Sequence, residues 1–237
     1  MAHESRVDLL VFGPHPDDIE IGLGGTVARH TAAGHQVGLC DLTLGELSSN
    51  GTPAERQAEA ADAARLLGAA WRTNLEWPDG GITGAAAQLE SAVDLIRRVR
   101  PRSVAIPYWE DRHPDHVAAS HALRQAVFKS GLRRFRPDLD ACRPEWLCFY
   151  FINDGATPSF VVDVSEHYER KRAALACYKS QFGTDAGGVA TRLTHPTFAQ
   201  LIESRDAQFG ALAGVPFAEG IVVREPVQRS GLLKSER

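Results

Sequence analysis

Cysteine is scarce in this chain: 237 residues carry four, Cys40, Cys142, Cys148 and Cys177, and no two form a CxxC pair. That spacing excludes the paired-ligand pattern of structural zinc, and the density is far below that of disulfide-stapled secreted domains. All four are read as reduced packing residues. Long apolar runs are missing as well. No stretch reaches membrane-spanning length, and Met1-Ala2-His3-Glu4-Ser5-Arg6 has no apolar signal core. Positive charge is not in excess: 26 Lys and Arg against 30 Asp and Glu leave a net charge of −4. This gives no footprint for nucleic acid or an anionic membrane. Repeats, low-complexity tracts and linkers are absent too. The expectation is a cytoplasmic protein, without nucleic-acid or membrane partners, folded as one domain over residues 1–237.

What the chain does have is alternation. Residues 7–12 form a short continuous apolar run, the pattern of a strand buried on both faces, ended by Gly13 and Pro14. Helical spacing follows over 20–33, then a strand over 36–42, a helix over 54–67 and a weaker strand over 71–75. A helix over 85–99, a strand over 103–107 and a helix over 116–129 complete the regular part. Strands alternating with helices imply βαβ units, hence a Rossmann-like α/β fold with a mostly parallel sheet flanked by helices. The C-terminal part reads as a mixed extension: strands over 146–152, 160–164 and 220–224, helices over 165–180 and 196–209. Residues 133–144 and 183–194 are expected to be loops, and the ends, 1–6 and 228–237, poorly ordered.

Two dense clusters stand at equivalent strand-to-loop positions, His15-Pro16-Asp17-Asp18 and His113-Pro114-Asp115-His116. Open parallel sheets bind ligands at the carboxyl ends of their strands, where both clusters fall. A single HxxD is a weak signal, because histidines at loop ends and aspartates at helix caps are common. Two such clusters point to one divalent-metal site. A catalytic zinc takes about three protein ligands and leaves a position for water; His15, Asp18 and His116 form such a set. Asp17 is then a spare carboxylate able to take a proton, and His113 a donor for an oxyanion and an acid for a leaving amine. Asp115 is expected to hold the His113 imidazole in its useful tautomer. A His2Asp set also accepts iron, cobalt or manganese. The histidines at 3, 30, 35, 121, 167 and 195 read as surface or capping residues.

At these residues the sequence resembles the LmbE-like (PIG-L) zinc de-N-acetylases. The first motif is His15-Pro16-Asp17-Asp18 with Glu20 and Gly24-Gly25-Thr26, the second His113-Pro114-Asp115-His116. Further segments look similar to the subgroup acting on N-acetylglucosaminyl-malate in bacillithiol biosynthesis. These include Asp41-Leu42-Thr43, the run from Glu46 to Thr52, Pro107-Tyr108-Trp109-Glu110-Asp111-Arg112, Tyr150-Phe151-Ile152-Asn153 and Glu203-Ser204-Arg205-Asp206. The resemblance implies Zn2+ on His15, Asp18 and His116, Asp17 as general base, and His113 as oxyanion stabiliser and acid. It implies Arg56 as a substrate-binding arginine, Asp79 on sugar hydroxyls, and homo-oligomers, often hexamers built from trimers. The implied reaction releases acetate from the malate glycoside. The alternative is the same chemistry on a chitobiose-like sugar, a mycothiol-type inositol glycoside or a thiol-conjugate amide. Two places depart from the subgroup: Gly80, where similar members tend to carry Arg, and residues 186–195.

For such a substrate the residues leave choices open. Arginine forks suit carboxylates, which makes Arg56 and Arg112 candidates; Arg56 can instead pair with Glu59, and Arg112 can brace Asp111 or Asp115. Glu46 can serve a hydroxyl or cap backbone amides. Trp77 and Trp109 can stack on a sugar or simply pack. A dinucleotide site, suggested by Gly22-Leu23-Gly24-Gly25, fails the GxGxxG spacing.

Overall fold

The computed structural model describes residues 4–183 and 188–228. Residues 1–3 and 229–237 of the expected frayed ends, and residues 184–187 of the expected loop, lie outside the described residues. Six strands running one way and one, β7, running against them form a seven-stranded sheet in the order β3-β2-β1-β4-β5-β7-β6. The strands are β1 Leu9–Gly13, β2 Val37–Thr43, β3 Trp71–Trp77, β4 Ser103–Pro107, β5 Trp146–Tyr150, β6 Phe160–Asp163 and β7 Ala218–Val222. Helices α1 Asp18–Ala32, α2 Pro53–Leu67, α3 Ala86–Val99 and α4 Pro114–Ser130 link the parallel strands; α5 Tyr168–Leu175, α6 Lys179–Phe182 and α7 Pro196–Ala213 belong to the extension.

The alternation of side chains along β1 builds two cores at once. Leu10 and Phe12 enter the cluster with α3 and α4, while Leu9 and Val11 enter the one with α1 and α2. All of β1 and β2 is buried, which is why these segments read as unbroken apolar runs. Helix α2 begins with a capping box between Thr52 and Glu55, has Pro53 at its first position and stops at Gly68 in the left-handed region. The four cysteines are free thiols, and burial pushes each of them up, Cys148 to about 12.

Connections from β1 run outward through β2 and β3, whereas β4 lies on the other side of β1. The chain direction across the sheet therefore reverses between β1 and β4, the point at which an open α/β sheet forms its crevice. Both histidine clusters emerge there.

The extension differs from expectation. The helix expected over 165–180 is three pieces: a 3-10 turn at Ser165–His167, then α5, then α6. The break at 176–178 carries Tyr178 into the core with no exposure, and no Gly or Pro marks it. The last strand is shifted to β7, and β3 runs on to Trp77 through an irregular register after Asp41. Three charged side chains meet without any exposure: Lys171 Nζ donates to Asp206 at 2.6 Å and to Glu219 at 2.7 Å. Glu219 also accepts from the Gly25 and Thr26 amides in α1, and Arg205 donates to the Ile21 carbonyl at 2.7 Å.

The glycines at 22, 24 and 25 lie inside α1 and are contact points rather than a phosphate loop. A Cβ on Gly22 would stand 2.3 Å from the Tyr150 ring and 2.7 Å from the Phe151 carbonyl oxygen. Tyr150 is held there by its hydroxyl bond to the Phe12 carbonyl. Gly22→Ala is expected to cost about 1–3 kcal/mol by overpacking, read from a chemical denaturation midpoint; an unchanged midpoint would show that the ring can yield.

Candidate functional site

The loop after β1 and the start of α4 after β4 bring His15, Asp18 and His116 together, all buried. Asp18 Oδ2 lies 3.0 Å from His15 Nδ1 and 3.3 Å from His116 Nε2. Zinc bonds of about 2.0–2.1 Å place tetrahedral ligand atoms about 3.3 Å apart, so this donor set fits the ion. The outward nitrogens fit equally well. His15 Nε2 faces Asp79 Oδ1 at 3.2 Å and Asp115 Oδ2 at 3.4 Å; His116 Nδ1 faces Asp111 Oδ1 at 3.1 Å. Carboxylates behind ligating imidazoles fix their tautomer and raise their basicity.

Electrostatics agree. Burial disfavours charge on both imidazoles, yet hydrogen bonds to Asp115, Asp18 and Asp79 lift His15 well above its ordinary value. Against the same burial, Asp18 and Asp111 lift His116 to about 9. Burial likewise opposes charge on Asp18, but the two imidazoles hold it well below the carboxylate range. Four carboxylates around two imidazoles call for positive charge, which a dication among them would provide.

Asp17 caps α1 in sequence but not in fact. Its side chain makes no cap hydrogen bond, and its φ of 120° is one that L-residues rarely adopt. The carboxylate instead meets Arg56 Nη2 at 3.1 Å and lines a cavity of about 460 Å³ with His15, Asp18, His113 and His116. Burial pushes Asp17 up to about 7 against the opposing pull of Arg56. His113 caps α4: its Nδ1 accepts from the Asp115 amide at 3.2 Å. A neutral ring therefore carries its proton on Nε2. Burial, with His116 and His15 nearby, lowers its pKa and favours that neutral form.

Several expected roles change place. The Asp115 carboxylate lies on His15 and on the Gly80 amide at 2.8 Å, and only its backbone N–H meets His113. It therefore backs the His15 imidazole rather than orienting His113. Asp79 has both oxygens engaged, one with His15 and the other with the Leu47 amide at 2.9 Å, and is held at about 2 despite burial. Glu46 accepts from the Asp79 amide, the capping alternative, and does not line the cavity. Arg56 is 4% exposed and turns inward; Glu59 bonds Ser180 instead. Arg112 lines the cavity and is exposed. Trp77, bonded to Ser91, and Trp109, against Phe149, are packing residues. His195 is a cap, for α7.

Other contributors are not apparent from the sequence. Asp111 collects His116, the His113 amide and Asn153; its neighbours in 107–112 were the only signal. Ser48, Asn153, Gln181, Arg192 and Phe198 also line the cavity. They come from segments far apart in the chain, with no local motif to join them.

The family described as PIG-L, GlcNAc-PI de-N-acetylase, matches residues 10–127, a stretch that holds both clusters. The diacetylchitobiose deacetylase of Thermococcus kodakarensis is 31% identical over 228 residues, 90% of this chain and 81% of that enzyme. A 1D-myo-inositol 2-acetamido-2-deoxy-alpha-D-glucopyranoside deacetylase of Saccharopolyspora erythraea is 30% identical over 241 residues, covering 78% of this chain and 88% of that one. Among solved structures, the conserved protein TT1542 of Thermus thermophilus is 40% identical, with a TM-score of 0.87 over 97% of this chain and all of that one. Identity sustained over nearly the full length of such enzymes, with both clusters inside the matched segment, places this chain in the PIG-L family of N-deacetylases.

Proposed function

We propose that this family member hydrolyses the acetamide of an N-acetylglucosaminide, with Zn2+ held by His15, Asp18 and His116. The observation that carries the reading is the convergence of those three donors with Asp17 and His113 on one cavity. A divalent ion bound there polarises the amide carbonyl and lowers the pKa of water toward neutrality. Asp17, with no cap bond to satisfy, accepts the proton as water adds to the carbonyl carbon. His113 Nε2–H donates to the oxygen that gains charge. Because His113 Nδ1 is occupied by a backbone amide, Nε2 is the nitrogen free to do so. The proton taken by Asp17 passes to the departing amine as the C–N bond breaks, leaving acetate and a glucosaminide. His113 as the acid, the sequence-based expectation, fits a neutral ring less well. Fe2+ at the same donors is compatible with this chemistry.

The curated relatives act, by their names, on diacetylchitobiose and on an inositol glycoside. They support a sugar or cyclitol aglycone ahead of the malate glycoside of bacillithiol biosynthesis. A specific observation keeps the malate reading second: Arg112 and Arg192 line the cavity, and neither has an ion-pair partner among the described residues. Arginine forks at a pocket mouth suit carboxylates.

Metal-stripped protein re-supplied with zinc, assayed for acetate on diacetylchitobiose, the inositol glycoside and the malate glycoside, tests both readings. Acetate release only after zinc is restored is expected, and the order of kcat/KM picks the aglycone. No release from any N-acetylglucosaminide would overturn the function. Zinc at a hundred times its Kd should also stabilise the fold by about 2.7 kcal/mol, seen as a rise in Tm that His116→Ala abolishes.

A further inference from the structure

We propose that Asn50 is a positioning residue for an aglycone-selecting wall of the cavity, the turn that carries Arg192 and Leu193. That wall receives an aglycone with two neighbouring oxygens, either vicinal hydroxyls of a sugar or cyclitol, or a carboxylate. The inference rests on the reading of the cavity as an N-deacetylase site and concerns only which substrates that site prefers. The wall belongs to the stretch between α6 and α7. Asn50, in the loop after β2, holds its start: Nδ2 donates to the Val189 carbonyl and Oδ1 accepts from the Val189 amide, both at 2.8 Å. A carboxamide has one donor and one acceptor side, and here both are spent on the backbone of a single residue, as a neighbouring strand would spend them. Among the described residues, no other hydrogen bond ties 188–191 to anything outside 188–195.

Asn50 is itself fixed. It is buried, and its carbonyl accepts from Gln181 Nε2 at 2.7 Å. Ser180, beside Gln181, is anchored to Glu59 in α2 through both its amide and its hydroxyl. Space at the contact is matched as well, since a Cβ on Gly188 would stand 2.5 Å from Asn50 Oδ1. Beyond Val189, Thr194 closes the turn: its hydroxyl accepts from the Thr191 amide at 2.8 Å and donates to the Thr191 carbonyl at 3.0 Å. Arg192 and Leu193 lie inside that turn and line the cavity, and the Arg192 guanidinium stands 5.6 Å from the ring centre of Phe198 in the first turn of α7. Asn50 does not line the cavity, so it acts through the turn that it holds. Arg192 makes no hydrogen bond to the proposed ligands, Asp17 or His113, so it meets a substrate away from the acetamide. A guanidinium fork matches two adjacent oxygens, and Leu193 offers an apolar contact beside it.

Substrates with and without an aglycone separate this role from a general structural one. Diacetylchitobiose, the inositol glycoside and the malate glycoside are compared with methyl N-acetylglucosaminide, which keeps the acetamide and lacks the rest. In Asn50→Ala, KM for the preferred glycoside is expected to rise about tenfold, the scale of one hydrogen-bonded contact to a charged group. With kcat nearly unchanged, that rise is the mark of lost uniform binding, and KM for the methyl glycoside should move less than about threefold. Gly188→Ala, which crowds Asn50 Oδ1, should show the same split. Bound zinc per chain, measured by elemental analysis, is expected to stay at the wild-type level in both. Asn50→Ala combined with Arg192→Met should lose little more than Arg192→Met alone, because a residue acting only through another is not additive with it. The glycoside whose KM moves most identifies the oxygens: the chitobiose or inositol compound for vicinal hydroxyls, the malate compound for a carboxylate. Equal losses on the glycoside and the methyl substrate, no loss on any glycoside, or additive losses in the double variant would overturn the proposal. If Asn50→Ala does not fold, Gly188→Ala decides by the same split. If the methyl glycoside is not turned over, inhibition constants of glucosamine and of the deacetylated glycoside make the same comparison. A wild-type protein that releases no acetate from any of these compounds would instead overturn the deacetylase reading, whatever Asn50 does.

Discussion

Asp17→Asn is expected to lower kcat about a hundred- to ten-thousand-fold, the usual contribution of a positioned general base, while zinc content stays unchanged. The substitution is nearly isosteric, and asparagine is among the few residues that tolerate positive φ, so the loop has no reason to rearrange. What it removes is the ability to take up a proton. Its neighbour provides the contrast. Asp18 lies between the His15 and His116 imidazoles, so, with those three as the proposed zinc ligands, Asp18→Asn should lose the metal as well as the activity. Steady-state acetate release together with elemental analysis separates the two variants. Wild-type turnover in a zinc-loaded Asp17→Asn protein would end the case for the base.

The largest effect on stability is expected at Lys171, a residue with no part in the chemistry. It has no exposure, and neither do Asp206 and Glu219, which it joins. Breaking a buried charge cluster by removing one partner typically costs about 3–5 kcal/mol, because the remaining charges stay desolvated and uncompensated. Lys171→Met should therefore lower the unfolding free energy by about that amount. Adding Glu219→Gln should return part of it by removing one stranded carboxylate. The return is incomplete by construction, since Glu219 also accepts from the Gly25 and Thr26 amides. Denaturation by urea measures both steps. A Lys171→Met protein as stable as the parent would mean that water or a rearrangement reaches the carboxylates.

Much of this architecture was legible in the sequence because buried parallel strands and capped helices carry local signals. Residues 7–12 announced β1 by being apolar throughout, and the helical stretch over 54–67 announced α2. The two histidine clusters were legible for the same reason: each is contiguous, and strand–helix alternation put both at one sheet edge. What could not be read is what depends on the direction of a side chain across the fold. Arg56 read by composition as a surface partner of Glu59 and only by its place among the motifs as a substrate fork, and nothing local says that it turns inward. Asp115 stands two residues after His113 in the chain, yet its carboxylate reaches His15, a hundred residues away. Asp79 and Asp111 acquire their roles from loops whose course is set by distant contacts. The break before α6 is of this kind too, imposed by the burial of Tyr178 rather than by any helix-breaking residue.

The bonds that Glu219 and Arg205 make to the backbone of α1 bear on how portable this site is. The histidines and aspartates of the candidate metal site all fall within residues 10–127, so that stretch looks like a self-contained cassette. The helix that begins at Asp18 is nevertheless moored by Arg205 at Ile21 and by Glu219 at Gly25 and Thr26, with Lys171 neutralising Glu219 from α5. Those moorings come from the last third of the chain. A graft or excision that preserved every motif residue but left that third behind would carry the ligands without the scaffold that aims them.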